Sequence, residues 1–331
     1  LSPALLSPAR LSLARWPATR EILQLPADAP LAGSTLVSLT SEADKVIAAL
    51  LCREEPAVPA EGLQGDGAFE KTYALGRRAD AQGRALRDLD LVKERHIVHM
   101  NIVDGSDPAE IAGWHNALQD AAQQTRLKIP VTLSSDPRHH VRSSPVAGES
   151  IAALSRWPET TGIAATGSDE CARRCGDTVR RELSALGIRV LLGPMADIFS
   201  DPRWSRGYGT FGEDPELVGR LTVAFIEGLR GGTTLGPESV AAMVKHFPGA
   251  GPQKDGRDAH DPRFREQVYP GGARALHLAP FESAIAAGVT QIMTYYGMPI
   301  GTDWEEVGFA FNRPVVHDLL RTRLGFSGIV C

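Results

Sequence analysis

Short apolar runs alternate with segments of helical periodicity from about residue 96 to the last residue of the chain. The runs are nearly continuous in apolar residues, as is typical of strands that are buried on both faces of a parallel sheet. They comprise residues 96–105, 129–136, 188–199, 240–247, 289–297 and 327–331. Strands that alternate with helices favour parallel pairing through right-handed crossovers, so the pattern predicts an α/β fold.

The segments between the runs predict amphipathic helices with recognisable ends. Asp107 and Asp214 are candidate N-caps, and each precedes a proline at the first helical position. A further helix is predicted to begin at Pro314. The apolar stripes predicted to be buried are Ile111, Trp114, Leu118 and Ala122; Cys171, Cys175, Val179, Leu183 and Leu186; Leu217, Leu221, Phe225 and Leu229; and Val316, Leu319, Leu320 and Leu324.

Six predicted parallel strands, of which the sixth coincides with the last residues, favour a TIM-like (β/α)8 barrel over a doubly wound sheet. The barrel is expected to be incomplete at the C-terminal end of this chain, which we interpret as a piece of a longer polypeptide. No glycine-rich phosphate-binding fingerprint follows a predicted strand, which disfavours nucleotide binding. Residues 91–331 are predicted to form the barrel domain, and residues 1–90 an N-terminal extension that packs on it, with a helix over 39–52.

The composition disfavours several classes of function. The chain is 43% hydrophobic and 23% charged, with a net charge of −5, so no basic surface argues for nucleic acid. No apolar run is long enough to cross a membrane. The four cysteines do not suggest a disulfide framework, which favours the cytoplasm over secretion, and Cys171 and Cys175 are interpreted as buried thiols.

Polar side chains follow several predicted strands, at the edge where a barrel places its active site. These residues are Asp136, Asp197, Lys245, His246, Tyr295 and Tyr296. Carboxylates, cationic donors and aromatic rings together suit a hydroxyl-rich ligand such as a sugar, and glycoside cleavage needs two carboxyl groups. The adjacent His139 and His140 are expected to be solvated or to face substrate rather than to bind metal, because neighbouring residues of an extended loop point apart.

Three segments carry a resemblance to a known family. They are FSDPRWSRGYGTFGEDPELV (199–218), VAAMVKHFPGAGPQKDGRDAH (240–260) and FNRPVVHDLLRTRLGFSGIVC (311–331). Together they resemble the N-terminal barrel of family 3 glycoside hydrolases, the β-glucosidase group, over roughly residues 90–331. Within that family the chain is most similar to bacterial β-glucosidase-like members that carry a GPQKDG loop.

The resemblance implies a sugar-binding role for five residues. Asp136 corresponds to an aspartate that grips two hydroxyls of the terminal sugar, and Arg206 to an arginine that contacts the same ring. Lys245 and His246 correspond to paired hydrogen-bond donors, which a bulged strand end can send to the same side. Tyr296 corresponds to a tyrosine near the reacting carbon.

Other residues near these positions have a simpler interpretation. Tyr295 replaces Tyr296 in the site if the register is displaced by one residue. Asp214 is interpreted as a helix cap and Asp197 as a residue that supports the site. Trp157 and Trp204 are interpreted as packing residues, with a stacking platform as the alternative.

The resemblance also implies what lies outside this chain. The nucleophilic aspartate is expected just after Cys331, and the acid/base in a later domain of the same polypeptide. No catalytic residue is therefore expected in the chain, and the chain alone is expected not to hydrolyse glycosides. The intact protein is expected to be an exo-acting, retaining β-glucosidase that acts on β-glucosides or oligosaccharides, without a metal or an organic cofactor.

Two alternatives remain at this point. N-acetyl-β-hexosaminidases of the same family carry Lys-His-Phe-Pro-Gly-His-Gly followed by an Asp-x-His dyad that supplies the acid. Here Ala250 replaces the second histidine, while Asp258 and His260 form an Asp-x-His dyad two residues later than in that pattern. The second alternative is a non-catalytic carbohydrate-binding barrel that has lost its nucleophile.

Overall fold

The computed structural model of the chain describes residues 88–102, 107–137, 139–140 and 154–331. The predicted helix over 39–52 and most of the predicted N-terminal extension lie outside the described residues. Contacts divide the chain into two units. The first unit comprises Leu1–Arg156 and Arg181–Val190, and the second comprises Trp157–Arg180 and Leu191–Cys331.

Strands and helices alternate along the described chain. The helices are α1 (Asp88–Arg95), α2 (Pro108–Gln123), α3 (Thr160–Ala164), α4 (Asp169–Ala185), α5 (Pro215–Arg230), α6 (Arg274–Ala286) and a π-helix (Pro314–Arg323). The strands are β1 (His99–Ile102), β2 (Thr132–Ser135), β3 (Ile188–Leu191), β4 (Ala241–Phe247), β5 (Glu266–Gln267), β6 (Gln291–Thr294), β7 (Met298–Pro299) and β8 (Ile329–Val330). Each of the six predicted apolar runs contains one strand, which confirms that part of the prediction.

The strands pair in parallel, as the alternation predicts. In the first unit β1 pairs with β2, and His99 lies opposite Thr132. In the second unit β6 pairs with both β4 and β8, and Ile292 lies opposite Val244 and Val330. The short parallel pair of β5 and β7 was not predicted, because two-residue strands leave no periodic signal. These pairings confirm the α/β class.

The predicted caps are present at both helix starts. The Asp107 carboxylate accepts a hydrogen bond from the Ala109 backbone N–H (2.8 Å), and the Asp214 carboxylate accepts one from Leu217 (2.7 Å). At the other end of α5, Gly231 has φ +66°, a left-handed conformation that favours glycine. The interpretation of Asp214 as a cap is therefore confirmed.

The predicted apolar stripes are buried along α2 and along most of α4. Ile111, Trp114, Leu118 and Ala122 are all buried, and so are Cys175, Val179, Leu183 and Leu186, whereas Cys171 is half-buried. The Trp114 indole donates a hydrogen bond to the Asp88 carboxylate (3.2 Å), which connects α2 to α1. These helices thus bury one face each, as their periodicity predicts.

The last predicted helix forms with Leu319 and Leu320 buried as predicted, but its first buried position differs. Val315 is fully buried whereas Val316 is half-buried, the reverse of the predicted stripe. The segment Pro314–Arg323 is a π-helix, and the Leu324 N–H donates to the Leu319 carbonyl five residues earlier (2.9 Å). The wider turn displaces the buried positions from the 3.6-residue period used for the prediction.

Candidate functional site

The end of β4 carries two buried basic side chains, Lys245 and His246. The pairing of β4 with β6 shifts register between Val244 and Phe247, as expected for a bulged strand end, and the Lys245–His246 peptide bond is cis. The Lys245 carbonyl accepts a hydrogen bond from the Ala196 N–H (2.7 Å). The strand end is thus joined to the segment that carries Asp197.

The buried Asp197 carboxylate contacts both the backbone and the ring of His246. One carboxylate oxygen, Oδ1, accepts hydrogen bonds from the backbone N–H groups of His246 (3.1 Å) and Ala250 (2.6 Å). The other oxygen, Oδ2, lies 2.7 Å from His246 Nδ1. Asp197 is fully buried, so all three hydrogen bonds form away from water. The geometry agrees with its interpretation as a residue that supports the site.

Burial and neighbouring charges set the protonation of this pair. Burial, followed by the positive charge of Arg206, lowers the pKa of His246 to about 4. Burial alone would raise the pKa of Asp197, but His246 and the Ala250 N–H lower it instead. At neutral pH the carboxylate is ionised and the imidazole is neutral. Because a carboxylate only accepts, the ring proton is on Nδ1 and Nε2 is an acceptor, whereas the family resemblance implied a donor at His246.

Arg206 contributes a guanidinium group with incomplete hydrogen bonding. Its Nε lies 4.0 Å from Asp258 Oδ2, and its Nη2 lies 4.0 Å from the Met195 sulfur. Its Nη1 is buried and has no hydrogen-bond partner within the described part of the chain. A buried charged donor without a partner is costly, so this nitrogen is suited to an oxygen of a bound ligand.

Asp258 lies next to Arg206 and is itself held by Trp204. Trp204 is buried, as its interpretation as a packing residue requires, and its indole N–H also donates to Asp258 Oδ2 (3.3 Å). The other oxygen of Asp258 accepts from the His260 backbone N–H (3.0 Å) and lies 2.5 Å from His260 Nδ1. Burial alone would raise the pKa of Asp258, but the hydrogen bonds from His260 and the charge of Arg206 lower it to about 2. Asp258 is therefore ionised at neutral pH.

Two consecutive tyrosines follow β6 and have different environments. Tyr295 is 1% exposed, whereas Tyr296 is 53% exposed. The Tyr295 hydroxyl accepts from the Ala259 N–H (3.4 Å), its ring centroid lies 5.2 Å from that of His246, and burial raises its pKa. The two tyrosine rings form an offset stack, with centroids 6.0 Å apart. The Tyr296 ring also meets the His260 ring edge-on at 5.0 Å.

Contacts connect six side chains of the second unit from His246 through to Arg206, whose charge also acts on His246; we call this set the site ring. Its members are His246, Tyr295, Tyr296, His260, Asp258 and Arg206. The secondary candidates of the sequence analysis are Tyr295, Asp258 and His260. They thus lie beside three of the main candidates, His246, Arg206 and Tyr296. Lys245 precedes His246, and its charge acts on that imidazole.

Asp136 belongs to the first unit and is described there by itself. It follows β2, is half-buried, and its backbone carbonyl accepts a hydrogen bond from the Ser135 hydroxyl (2.9 Å). The site ring is therefore described without it, and its sugar-binding role stays a prediction.

The expectation that His139 is solvated is wrong, whereas a position facing substrate stays a prediction. His139 is 2% exposed and its Nε2 lies 2.9 Å from Glu182 Oε2, within the first unit. Glu182 also accepts hydrogen bonds from the backbone N–H of Ser155 (2.9 Å) and from its hydroxyl. A buried carboxylate needs partners, and His139 lies in the interior beside this one. His140 is half-buried.

Gln267 is a residue of this region that sequence reasoning missed. It is fully buried, and its amide donates to the Gly249 carbonyl (2.6 Å) and to the Tyr269 hydroxyl (2.8 Å). Gly249 precedes Ala250, whose N–H donates to Asp197. Gln267 thus fixes the loop that orients Asp197. An isolated glutamine that follows Arg265 and Glu266 gives no sequence signal of this role.

No group of three or more potential metal ligands occurs among the described residues. Within the same residues, the helices are too short or too polar to traverse a bilayer.

A sequence model of the Glycosyl hydrolase family 3 N terminal domain matches residues 89–331. Beta-glucosidase C of Emericella nidulans is 44% identical over 72% of this chain and 39% of the relative. The periplasmic beta-glucosidase/beta-xylosidase of Dickeya chrysanthemi is 39% identical over 69% of this chain and 36% of the relative. The chain spans about two fifths of the length of these relatives.

A solved structure supports the fold. The glycoside hydrolase family 3 beta-N-acetylglucosaminidase from Paenibacillus sp. has a TM-score of 0.62 and 28% identity, covering 73% of this chain and 44% of that one. The prediction of a TIM-like α/β barrel, incomplete in this chain, is thereby confirmed.

Proposed function

Because the chain belongs to glycosyl hydrolase family 3, we propose that the protein removes terminal, non-reducing β-D-glucosyl residues from β-glucosides or oligosaccharides. The observation that carries the proposal is the site ring, in which buried polar groups lie beside aromatic faces. Relatives named as β-glucosidases, with up to 44% identity, support the choice of glucose. The substrate and the activity are proposals for the whole protein.

The site ring offers complementary groups to a pyranose. The buried Nη1 of Arg206 donates to a sugar hydroxyl, and the Nε2 of His246 accepts from one. Lys245 adds a second cationic donor. For Asp136, in the first unit, the family resemblance separately implies a role in accepting hydrogen bonds from sugar hydroxyls. Hydrogen bonds to charged groups contribute roughly 1.5–3 kcal/mol each, so a few of them suffice for selective binding.

The chemistry requires two carboxyl groups that the ring itself does not supply. A retaining mechanism places an acid and a nucleophile about 5–5.5 Å apart. Asp258 does not fit the acid, because its pKa of about 2 leaves no proton to donate at neutral pH. The nucleophile is expected from the family resemblance just after Cys331, and the acid/base in a C-terminal domain. Within this chain the residues bind and orient the sugar, and no metal or organic cofactor is proposed.

One observation favours a second candidate, an N-acetyl-β-hexosaminidase. The Asp258 carboxylate lies 2.5 Å from His260 Nδ1, so the Asp-x-His dyad is formed and its imidazole is oriented. Such an imidazole carries a proton to or from a leaving group. The similar solved structure from Paenibacillus is a beta-N-acetylglucosaminidase. Against this candidate, Ala250 stands where those enzymes carry a histidine in the strand-end motif.

Kinetics with the product of the complete reading frame tests the proposal. We expect kcat/KM for 4-nitrophenyl β-D-glucoside to exceed that for the N-acetyl-β-D-glucosaminide at least tenfold, and β-glucose to be the first anomer released. The reverse preference, with activity abolished by His260→Ala, would support the hexosaminidase. Binding of glucosides without any turnover would instead identify a non-catalytic carbohydrate-binding barrel.

A pair of arginine variants tests the role of the site ring. Arg206→Ala is expected to weaken binding of a non-hydrolysable thioglucoside more than tenfold, because it removes the buried donor. Arg203→Ala is the matched control: Arg203 is 64% exposed and pairs with Asp201 on the surface. Equal affinities of the two variants, measured by calorimetry, would refute the assignment of Arg206 to the sugar site.

A further inference from the structure

The turn after β4, residues 248–251, is enclosed on two sides by other parts of the second unit. A Cβ at Gly251 would collide with the Ile198 carbonyl oxygen, and a Cβ at Gly249 would lie 2.9 Å from the His277 carbonyl oxygen. Gly249 also has φ +115°, a backbone conformation that other residues rarely adopt. The turn thus lies in direct contact with the residue that follows Asp197 on one side and with α6 on the other.

The side chain of His277, in α6, fills the space beside this turn. His277 is 4% exposed, and its Cε1 lies 3.3 Å from the position that a Cβ at Gly251 would occupy. The Tyr269 ring meets the imidazole edge-on, with centroids 6.0 Å apart. Tyr269 is itself held by the Gln267 amide, which also donates to the Gly249 carbonyl. The imidazole is therefore enclosed between the turn and a hydrogen-bonded aromatic ring.

The His277 imidazole occupies this place without a hydrogen bond at Nδ1. That nitrogen is buried and has no partner among the residues that the structure describes, which is unfavourable for a polar group. Burial lowers the pKa of His277 to about 4, against an opposing effect of the Asp197 charge, so the ring is neutral at pH 7. The ring is thus held by packing, and it acts on the turn through its shape.

The enclosed turn presents the Ala250 N–H to Asp197. This N–H lies between the two glycines and donates to Oδ1 at 2.6 Å, the shortest of the three hydrogen bonds that the carboxylate makes. The other oxygen, Oδ2, keeps the His246 proton on Nδ1 and leaves Nε2 as an acceptor. A displacement of the turn would therefore reorient Asp197 and, through it, the His246 ring.

We propose that His277 is a positioning residue for sugar binding. Its ring holds the turn against Ile198 and so keeps the Ala250 N–H on Asp197, and it acts on the sugar only through Asp197 and His246. The inference rests on the proposed function, since it assumes that His246 Nε2 accepts from a sugar hydroxyl. The effect of His277 on the His246 ring requires no sugar and is measurable in the free protein.

Two alanine variants in the product of the complete reading frame test the proposal. Leu278, the next residue of α6, is 6% exposed and points about 100° away around the helix axis, so Leu278→Ala is the matched control for His277→Ala. Both variants remove a buried side chain from the same helix and are expected to lower the urea midpoint. Only His277→Ala is expected to change the imidazole nitrogen chemical shifts of His246 and to weaken binding of methyl 1-thio-β-D-glucopyranoside, measured by calorimetry, at least fivefold.

A third variant asks whether the ring itself is responsible. His277→Phe keeps a flat ring between the turn and Tyr269 but has no ring nitrogen, and it is expected to restore the wild-type shifts of His246 and most of the affinity. If His277→Phe fails to restore them, packing of the ring does not hold the turn and the proposal is refuted. It is also refuted if His277→Ala leaves the shifts and the affinity unchanged, or if Leu278→Ala changes both equally.

Two further outcomes separate this inference from the proposal beneath it. If His277→Ala changes the His246 shifts but the thioglucoside binds as tightly as to the wild type, the role in sugar binding is refuted and the glucosidase proposal stands. If the wild type does not bind the thioglucoside, the proposed sugar site fails, and a change of the His246 shifts in His277→Ala alone still supports the positioning of His246 by His277.

Discussion

Replacement of Asp197 provides the sharpest test of how the site is held together. Its two carboxylate oxygens have different tasks: Oδ1 accepts from the backbone of His246 and Ala250, and Oδ2 faces the His246 ring. In Asp197→Ala these three buried donors lose their acceptor. A buried polar group left without a partner costs roughly 1–3 kcal/mol. We therefore expect the free energy of unfolding to fall by about 3 kcal/mol or more.

Asp197→Asn separates the backbone contacts from the ring contact. An amide oxygen in the place of Oδ1 keeps both backbone hydrogen bonds, and the amide NH2 then faces His246 Nδ1. The ring must accept at Nδ1 and move its proton to Nε2. Because the hydrogen bonds lose only their charge assistance, we expect a loss of about 1–2 kcal/mol. The two variants should therefore differ clearly in stability although the same carboxylate is removed.

Urea unfolding at pH 7 measures these differences, with the slope of the transition as a check that the unfolded state is unchanged. Asp201→Ala is the control, since its carboxylate pairs with Arg203 at the surface, and its midpoint is expected to match the wild type. Nitrogen chemical shifts of the imidazole report the position of the proton. If the alanine and asparagine variants unfold at the same urea concentration, or if the proton stays on Nδ1 in Asp197→Asn, the reasoning is refuted.

Two further predictions concern stability. Burial lowers the pKa values of His246 and His277 to about 4, from about 6.5 in the unfolded chain. As the pH falls from 6.5 to 4, protons therefore bind the unfolded state preferentially, and the free energy of unfolding should decrease by up to about 3 kcal/mol for each histidine. Urea midpoints that do not change across this pH range would contradict the assignment. Gly228→Ala places a methyl group 2.1 Å from the Arg173 carbonyl oxygen and should lower the free energy of unfolding by about 2 kcal/mol. Gly219→Ala in the same helix should cost less, because its nearest neighbour is the rotatable Ser283 hydroxyl at 2.9 Å, followed by the Ser283 Cβ at 3.3 Å. Equal urea midpoints of the two variants would show that the helices adjust freely.

Local patterns were sufficient for much of the fold. Strands β1, β2, β4 and β6 lie inside apolar runs because parallel strands covered on both faces leave a nearly continuous apolar signal. The caps at Asp107 and Asp214 were predictable since a cap acts within three residues. In the last helix the buried Leu319 and Leu320 were predicted, but Val315 was not, because a π-helix changes the period without a distinct composition and buries Val315 in place of Val316.

The contacts that organise the site were beyond local reasoning. Trp204 and Asp258 are 54 positions apart in sequence, and no local pattern predicts the hydrogen bond between them. His139 and Glu182 are similarly distant, and the burial of one depends on the other. Such pairs form only when the tertiary structure brings distant segments together, so short-range sequence patterns do not predict them.

Tyr295 and Tyr296 show most directly what could not be predicted from the sequence. Successive residues of an extended chain point to opposite sides, so only one of Tyr295 and Tyr296 was expected to face the interior. The sequence predicts the pair but not the register, because β6 ends at Thr294 and the neighbouring strand shifts register at its own end. In the structure Tyr295 is the buried member and Tyr296 forms the outer edge.

The charges of the site indicate the kind of ligand that it accepts. Lys245 and Arg206 are cationic, and both act on the neutral imidazole of His246. Asp197 and Asp258 have lowered pKa values and are anionic. These two cationic and two anionic side chains balance one another, which does not favour an anionic ligand such as a phosphate or a carboxylate. A balanced set of buried donors and acceptors suits a neutral ligand whose hydroxyl groups both donate and accept, as those of a glucosyl residue do.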